Sequence, residues 1–199
     1  MLNQITLPQQ KKAAKTLGEA FANDTFMSYM LPNSQSRVSK LIQLFIPAIK
    51  FCIHYGGIEI REQGGGILLW VSGKSLSFNL IQLIKSGLIW LPLTIGIPAF
   101  KRFYQHDRTC EHALNKHTSP NFAYLWVLGV HPDCAGRGLA KQMVTSALNK
   151  MREEGYSTCI LRTENPKNVG FYEHLGFKQI YTDIPASSGI RFWLFEQAL

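Results

Sequence analysis

Cysteine is scarce in this chain, and Cys52, Cys110, Cys134 and Cys159 never form a Cys-x-x-Cys pair. That excludes a disulfide scaffold, a zinc ribbon and a dithiol redox motif. Acidic residues are few, 13 against 21 Lys and Arg, for a formal charge of +8. The cations are scattered, with Lys11-Lys12 near Lys15 and Lys101-Arg102 as the closest groupings. No basic stripe interleaved with aromatics is readable, so nucleic acid is not an expected partner. The charge suits a polyanionic small ligand equally well. No apolar run reaches the roughly 20 residues needed to cross a bilayer. The longest candidate, Leu76 to Phe100, is interrupted by Asn79, Gln82, Lys85, Pro92, Gly96 and Pro98. A buried helix-loop-helix beside an apolar substrate pocket is the favoured assignment for it, with membrane contact a lesser one. The N-terminus has polar residues where a signal peptide needs an apolar stretch, so a cytoplasmic, reduced setting is expected.

What is present is material for a core: 46% apolar residues against 17% charged, in 199 residues, fits one folded domain. Leu2 to Thr6 reads as a short extended start. From about Gln9 to Ala22, the residues Ala13, Leu17, Ala20 and Phe21 share one helical face. Ser34 to Tyr55 reads as a second helix, kinked at Pro47 and ended by Gly56-Gly57. Ile58 to Glu62 and Ile67 to Val71 flank Gly64-Gly65-Gly66, a hairpin signal. Phe122 to Val130 is apolar on both alternating faces, the mark of a central strand covered by helices. Gly129 within it points to a bulge or a close backbone approach. Leu139 to Glu154 carries a helical stripe of Leu139, Met143, Ala147 and Met151. Thr158 to Arg162, a short helix, Lys178 to Asp183 and Ile190 to Phe195 complete an α/β sheet with at least one parallel pair. Trp70, Trp90, Trp126 and Trp193 are expected in the core or a pocket wall.

Two segments carry chemistry. In Val130-His131-Pro132-Asp133-Cys134-Ala135-Gly136-Arg137-Gly138-Leu139-Ala140, a buried strand turns into a helix through two glycines. Bare turn amides and the positive end of the helix converge there on one point, a cradle for a pyrophosphate, with Arg137 as an added charge. The dinucleotide fingerprint would need glycine at Lys141, and no P-loop lysine is present. After the next strand, Asn165-Pro166 opens a short helix that Gly176 ends. Asn168 and Tyr172 are four apart and share its ligand-facing side.

These two segments, in this order and spacing, resemble the GNAT superfamily of acyl-CoA N-acyltransferases. The family pattern is V-x-P-x-x-[Q/R]-G-x-G-x-[G/A], followed by N-x-x-[A/N]-x-x-F-Y-x-x-x-G-F. The detailed match runs from about 120 to 183. The phrases Tyr124 to Val130 and Asn165 to Val169, with Ala20-Phe21-Ala22-Asn23-Asp24-Thr25-Phe26, look most like the puromycin-type small-molecule branch. Ala135 departs from the usual Gln or Arg. The resemblance implies a mixed, mostly antiparallel sheet with a splayed parallel strand pair, flanked by helices. It implies acceptor-side helices over about 8–118 and an acetyl-CoA-binding core over about 120–199.

It also implies acetyl-CoA as the acyl donor and a small-molecule amine as the acceptor. The backbone from Ala135 through Gly136, Arg137, Gly138 and Leu139 to Ala140 would hold the pyrophosphate. The edge of Leu128 to Val130 would pair with the pantetheine, and Asn165, Asn168, Phe171 and Tyr172 would line the coenzyme. An N–H near Gly129 would stabilise the oxyanion, and Tyr172 would protonate the leaving thiolate. The general base stays open among Glu59, Glu164 and His131. A catalytically silent acyl-CoA-binding module and a peptide amine acetyltransferase are the alternatives. The sequence leaves room for a homodimer. His106, Cys110 and His117 share a helical face but lack a fourth ligand, so no metal is expected.

Overall fold

Side-chain caps start the N-terminal helices. The Thr6 hydroxyl accepts from the Gln9 amide, and the Gln9 side chain accepts from the Thr6 amide, a capping box that opens α1 (Leu7–Ala20). Asp24 caps α2 (Thr25–Met30) and Asn33 caps α3 (Ser34–Tyr55). The last of these continues unbroken through Pro47. The computed structural model describes residues 5–118 and 121–199, so the expected extended start at Leu2 to Gln4 lies outside the described residues.

Six strands follow the order β1-β2-β3-β4-β6-β5: β1 (Gly56–Arg61), β2 (Gly66–Ser72), β3 (Phe122–Val130), β4 (Thr158–Thr163), β5 (Lys178–Asp183) and β6 (Phe192–Ala198). Among the described residues only β3 and β4 run parallel; every other pair is antiparallel. The sheet is the mixed, mostly antiparallel one that the family resemblance implies. Glycines at the start of β1 follow from the neighbouring strand, because a Cβ on Gly57 would stand 2.4 Å from the Trp70 ring.

β3 and β4 pair only over Phe122–Leu125 and Thr158–Leu161. Beyond that, β3 runs five residues further with β2 on one flank and no strand on the other. The register with β2 slips by one at Trp126, which has no counterpart in β2 and is the bulged residue. This corrects the expectation of a bulge at Gly129, which pairs in register with Ile67. Gly129 is needed for the other reason: a Cβ there would meet Leu17 Cδ2 at 2.7 Å and the Phe21 ring at 3.1 Å, so α1 packs directly on its backbone.

The sheet has a core on each face. Ile67, Leu69, Tyr124, Ile160 and Leu194 pack under α1, α3 and α6 (Ile97–His117). Leu68, Trp70, Leu125, Leu161 and Phe195 pack under α7 (Leu139–Glu153) and α8 (Val169–His174). The expected division near residue 119 does not divide the sheet, since β1 and β2 precede it and join the same six strands.

The stretch from Leu76 to Phe100 corrects a second expectation. It forms α4 (Leu80–Ser86), a 3-10 turn and α5 (Leu91–Ile95), laid over α3. Leu91 and Ile95 are buried, but Leu80, Ile81, Ile84, Trp90, Leu93 and Ile97 are exposed. Trp70 is a core residue, as expected. Trp90 is a surface one, because none of the described residues packs over the outer side of the layer there.

Candidate active site

β3 delivers the chain to a turn whose conformation uses up some amides and frees others. His131 donates its N–H to the Gly65 carbonyl (2.8 Å), and Ala135 donates to Pro132 (3.1 Å) across the 3-10 turn Pro132–Cys134. The Ala135 N–H is therefore spent inside the turn, which corrects its expected place in the cradle. Gly136 and Gly138 have φ of +78° and +74°, the left-handed region that L side chains avoid. A Cβ on Gly136 would meet nothing within 4 Å, so the backbone angle alone demands glycine and that side of the loop is open. Gly138 caps α7 without a side chain, and Gln142 is the first residue of the helix to bond back, to the Gly138 carbonyl at 3.1 Å. Among the described residues, the amides from Gly136 to Lys141 thus have no internal partner, an array suited to an anion. Arg137 lies across the loop, bonded to Glu62 (3.1 Å) and the Asp133 carbonyl (3.1 Å). That ion pair is exposed and weak, so a phosphate can replace Glu62.

At the parting of β3 and β4 the second segment follows. Pro166–Asn168 forms a 3-10 turn before α8, so the predicted single helix starts as a tighter one. The Asn165 carboxamide accepts from the Lys167 amide (3.1 Å), and the Asn168 Nδ2 donates to the Thr163 hydroxyl (3.3 Å). The Asn168 amide thus braces the end of β4, whereas the Asn165 amide caps the turn that follows it. Tyr172 is buried among Phe171, Phe177 and Phe195 on the α7 side of the sheet. Burial pushes its phenol well above its ordinary value of 10.0, so it stays protonated.

The opposite side of the parting carries a charged cluster that sequence spacing did not assemble. Arg162, on the same strand face as Tyr124, bonds Glu164 (2.7 Å) and Asp107 (2.8 Å). His106 of α6, fully buried, lies 3.4 Å from Glu164 through Nε2 and 2.8 Å from the Ser188 hydroxyl through Nδ1. The Phe26 ring packs on the His106 ring with centroids 4.4 Å apart, bringing the capping Asp24 to the same place. Burial raises the Glu164 carboxyl, but Arg162 and His106 outweigh it and hold it below 4.5. Asp24 moves the other way: burial and the Glu164 charge raise it above 3.8, against the lowering pull of the Met27 and Phe26 amides. Two carboxylates shifted in opposite directions by their surroundings suit different roles. Asp24 stood in the Ala20–Phe26 phrase and His106 on the helical face with Cys110, but nothing in the sequence joined the two; their convergence is tertiary.

Of the three candidate bases, Glu164 alone reaches the parting. Glu59 is buried under α7 in ion pairs with Lys150 and Arg61, on an edge strand two places from β3. His131 bonds Glu19 of α1 (3.0 Å) and accepts from the Asp133 amide. His106 and Cys110 do come together, with Glu164 as third member, all ligand atoms within 4.8 Å. Burial pushes the Cys110 thiol up to about 12, and Arg162 occupies the adjoining space, so the trio is a poor metal cage. His117, expected on that face, stacks on Tyr181 instead, 4.5 Å between centroids.

The depressed Glu164 makes a stability prediction. Its ion pair contributes fully above the ordinary value of 4.5 and is lost as pH falls through the lower folded value. Glu164→Gln is expected to cost about 2–3 kcal/mol at neutral pH, since Asp107 still answers Arg162. The deficit shrinks in acid. Denaturant titrations of both proteins at neutral and acidic pH check it; a deficit independent of pH refutes the ion-pair account.

Comparison with known proteins agrees with this geometry. Residues 97–177 match the model of the acetyltransferase (GNAT) family. Over 71 residues the chain is 37% identical to an uncharacterised N-acetyltransferase, ycf52, of Gracilaria tenuistipitata, covering 36% of each protein. Over 67 residues it is 34% identical to the mycothiol acetyltransferase of Saccharomonospora viridis, covering 33% of this chain and 22% of that protein. The chain thus spans about a third or less of the length of the curated relatives it matches. Among solved structures, the C-terminal condensation domain of Ebony, in complex with beta-alanyl-dopamine, superposes with a TM-score of 0.73 at 9% identity, covering 98% of this chain and 96% of that one. The parted parallel strands and the open-amide turn both fall within residues 97–177, the part of the chain that is similar to the acetyltransferase (GNAT) family.

Proposed function

We propose that this protein transfers the acetyl group of acetyl-CoA to a primary amine of a small molecule by direct attack on the thioester. One observation carries this: β3 and β4 part between an open-amide turn on one side of the sheet and a carboxylate cluster on the other. The diphosphate would sit on the amides of Gly136 to Lys141, with the pantetheine along the unpaired flank of β3. The thioester would then reach the parting between Tyr172 and the Asp24–Glu164 pair. The amine nitrogen bonds to the carbonyl carbon while a β3 amide near Gly129 steadies the oxyanion. The carbon–sulfur bond then breaks, and Tyr172 gives its proton to the departing sulfur. Asp24, whose carboxyl burial raises, takes a proton from the bound ammonium to free the nucleophilic amine, and the proton the nitrogen sheds after attack returns through water to the Tyr172 oxygen. Glu164, held ionised, attracts the incoming ammonium.

The acceptor side also has an apolar wall. Trp126 packs against Phe51 (5.8 Å) and Phe78 (5.9 Å), two residues along β3 from Tyr124, whose phenol senses Arg162 and Glu164. Carboxylates beside aromatics suit an amine with an apolar or aryl body. The Ebony domain, whose complex contains an aromatic amide, supports this class. The motif phrases favour the puromycin-type branch, and a cytoplasmic setting belongs to the same proposal.

Thiol release from acetyl-CoA against alkyl and arylalkyl amines tests the reading. Release that no amine accelerates over hydrolysis would leave a silent coenzyme-binding module. Asp24→Asn is expected to lower kcat/KM by about 10² to 10⁴. Its thermal stability should hold or rise, because asparagine caps α2 as well and no longer repels Glu164. An unchanged kcat/KM assigns the proton to another group.

A further inference from the structure

Between Glu62 and Asp107 the chain has no acidic residue, and none lies between Asp24 and Glu59. These two stretches hold α3 and the layer of α4 and α5 packed on it. The outer side of that layer is apolar and bare: Leu93 is 71% exposed, Ile81 65% and Trp90 60%, with Leu80, Ile84 and Ile97 beside them in sequence. Leu80, Ile81 and Ile84 share one face of α4, and Lys85 follows them at its end. Lys101 lies one helical turn beyond Ile97, and the Lys40 ammonium approaches within 3.9 Å of where a Cβ on Gly96 would stand. Lys40 and Arg102 also line a groove of about 200 Å³ beside Ile95, with Ser36 and Asn33.

We propose that this face docks the protein onto an anionic phospholipid surface, with Trp90, Leu93 and the α4 side chains in the interface and the lysines on headgroup phosphates. An exposed apolar face this large marks a contact surface, and the charge around it decides which. A second copy of the chain would set Lys85 and Lys101 against like charges, with no carboxylate in either stretch to answer them. Anionic headgroups answer them directly, and the groove at Lys40 and Arg102 has room for a phosphate. No helix among the described residues is long and apolar enough to cross a membrane, so the layer lies on the surface instead of spanning it. This surface stands independently of the proposed chemistry.

The test is co-sedimentation of the full chain with phosphatidylcholine vesicles, with and without phosphatidylglycerol, together with sedimentation velocity in their absence. Binding is expected to the anionic vesicles, with a blue shift of tryptophan emission and release at high salt. Lys85→Gln with Lys101→Gln should weaken it about thirtyfold, at about 1 kcal/mol for each lysine. Trp90→Ser with Leu93→Ser should abolish both binding and blue shift, and unchanged thermal unfolding keeps that loss attributable to the surface. Absence of vesicle binding overturns the proposal, as does binding indifferent to both double variants. A stable dimer that only Trp90→Ser with Leu93→Ser dissociates also overturns it, since the second copy is then the occupant.

Discussion

Replacing Tyr172 with phenylalanine is expected to lower kcat by about 10² to 10⁴ while leaving affinity for CoA close to unchanged. The ring stays packed against Phe177 and Phe195, so only the hydroxyl is lost. Taken alone, a buried phenol is too weak an acid to protonate a thiolate whose ordinary value is about 8.5. The same core resolves this. Cys159 lies close enough to Tyr172 to influence its ionisation, and burial lifts that thiol to about 12. A coenzyme thiolate leaving beside Tyr172 would be similarly starved of water and more basic, which would bring donor and acceptor into range of each other. Steady-state kinetics with calorimetric CoA binding check the prediction. An unchanged kcat removes Tyr172 from the proton's path, whereas loss of CoA binding makes its role structural.

Gly138→Val is expected to weaken CoA binding by at least about 100-fold, equivalent to one or two hydrogen bonds to a charged group. The φ of +74° at this position is closed to a β-branched residue. Valine would swing the turn out of the left-handed region and aim the amides of Gly138, Leu139 and Ala140 away from their common point. Ala135→Gln, which restores the residue more usual at that place, should change affinity little. The Ala135 amide already belongs to the Pro132 turn, and the remaining cradle is main chain. Calorimetric titration of both variants with CoA decides the matter. Wild-type affinity in Gly138→Val would place the diphosphate elsewhere.

The sheet was legible because its determinants are local. The two-faced apolar run of β3, the stripe of α7 and the glycine turn between them need nothing beyond nearest neighbours to be read. Gly129 shows the limit. The residue announces that something comes close, but only the packing of Leu17 and Phe21 tells that it is a helix, while the bulge falls on Trp126. The layer from Leu80 to Ile97 misleads for a related reason. Apolar composition reports that a surface prefers to be covered, and does not say whether the same chain covers it. The Asp24, His106 and Glu164 cluster joins residues 140 positions apart between its first and last members, from a cap, a helix face and a strand end. Each alone looks like an ordinary structural residue.

The five residues of β3 beyond Leu125 present one flank of main-chain donors and acceptors inside the sheet, facing no strand. An edge of this kind recruits whatever extended backbone is near. The flank where the coenzyme would fit is therefore also a place where extended backbone of another copy can add. Supplying CoA during expression and refolding should raise the soluble yield, an effect on manufacture that follows from covering this unpaired flank.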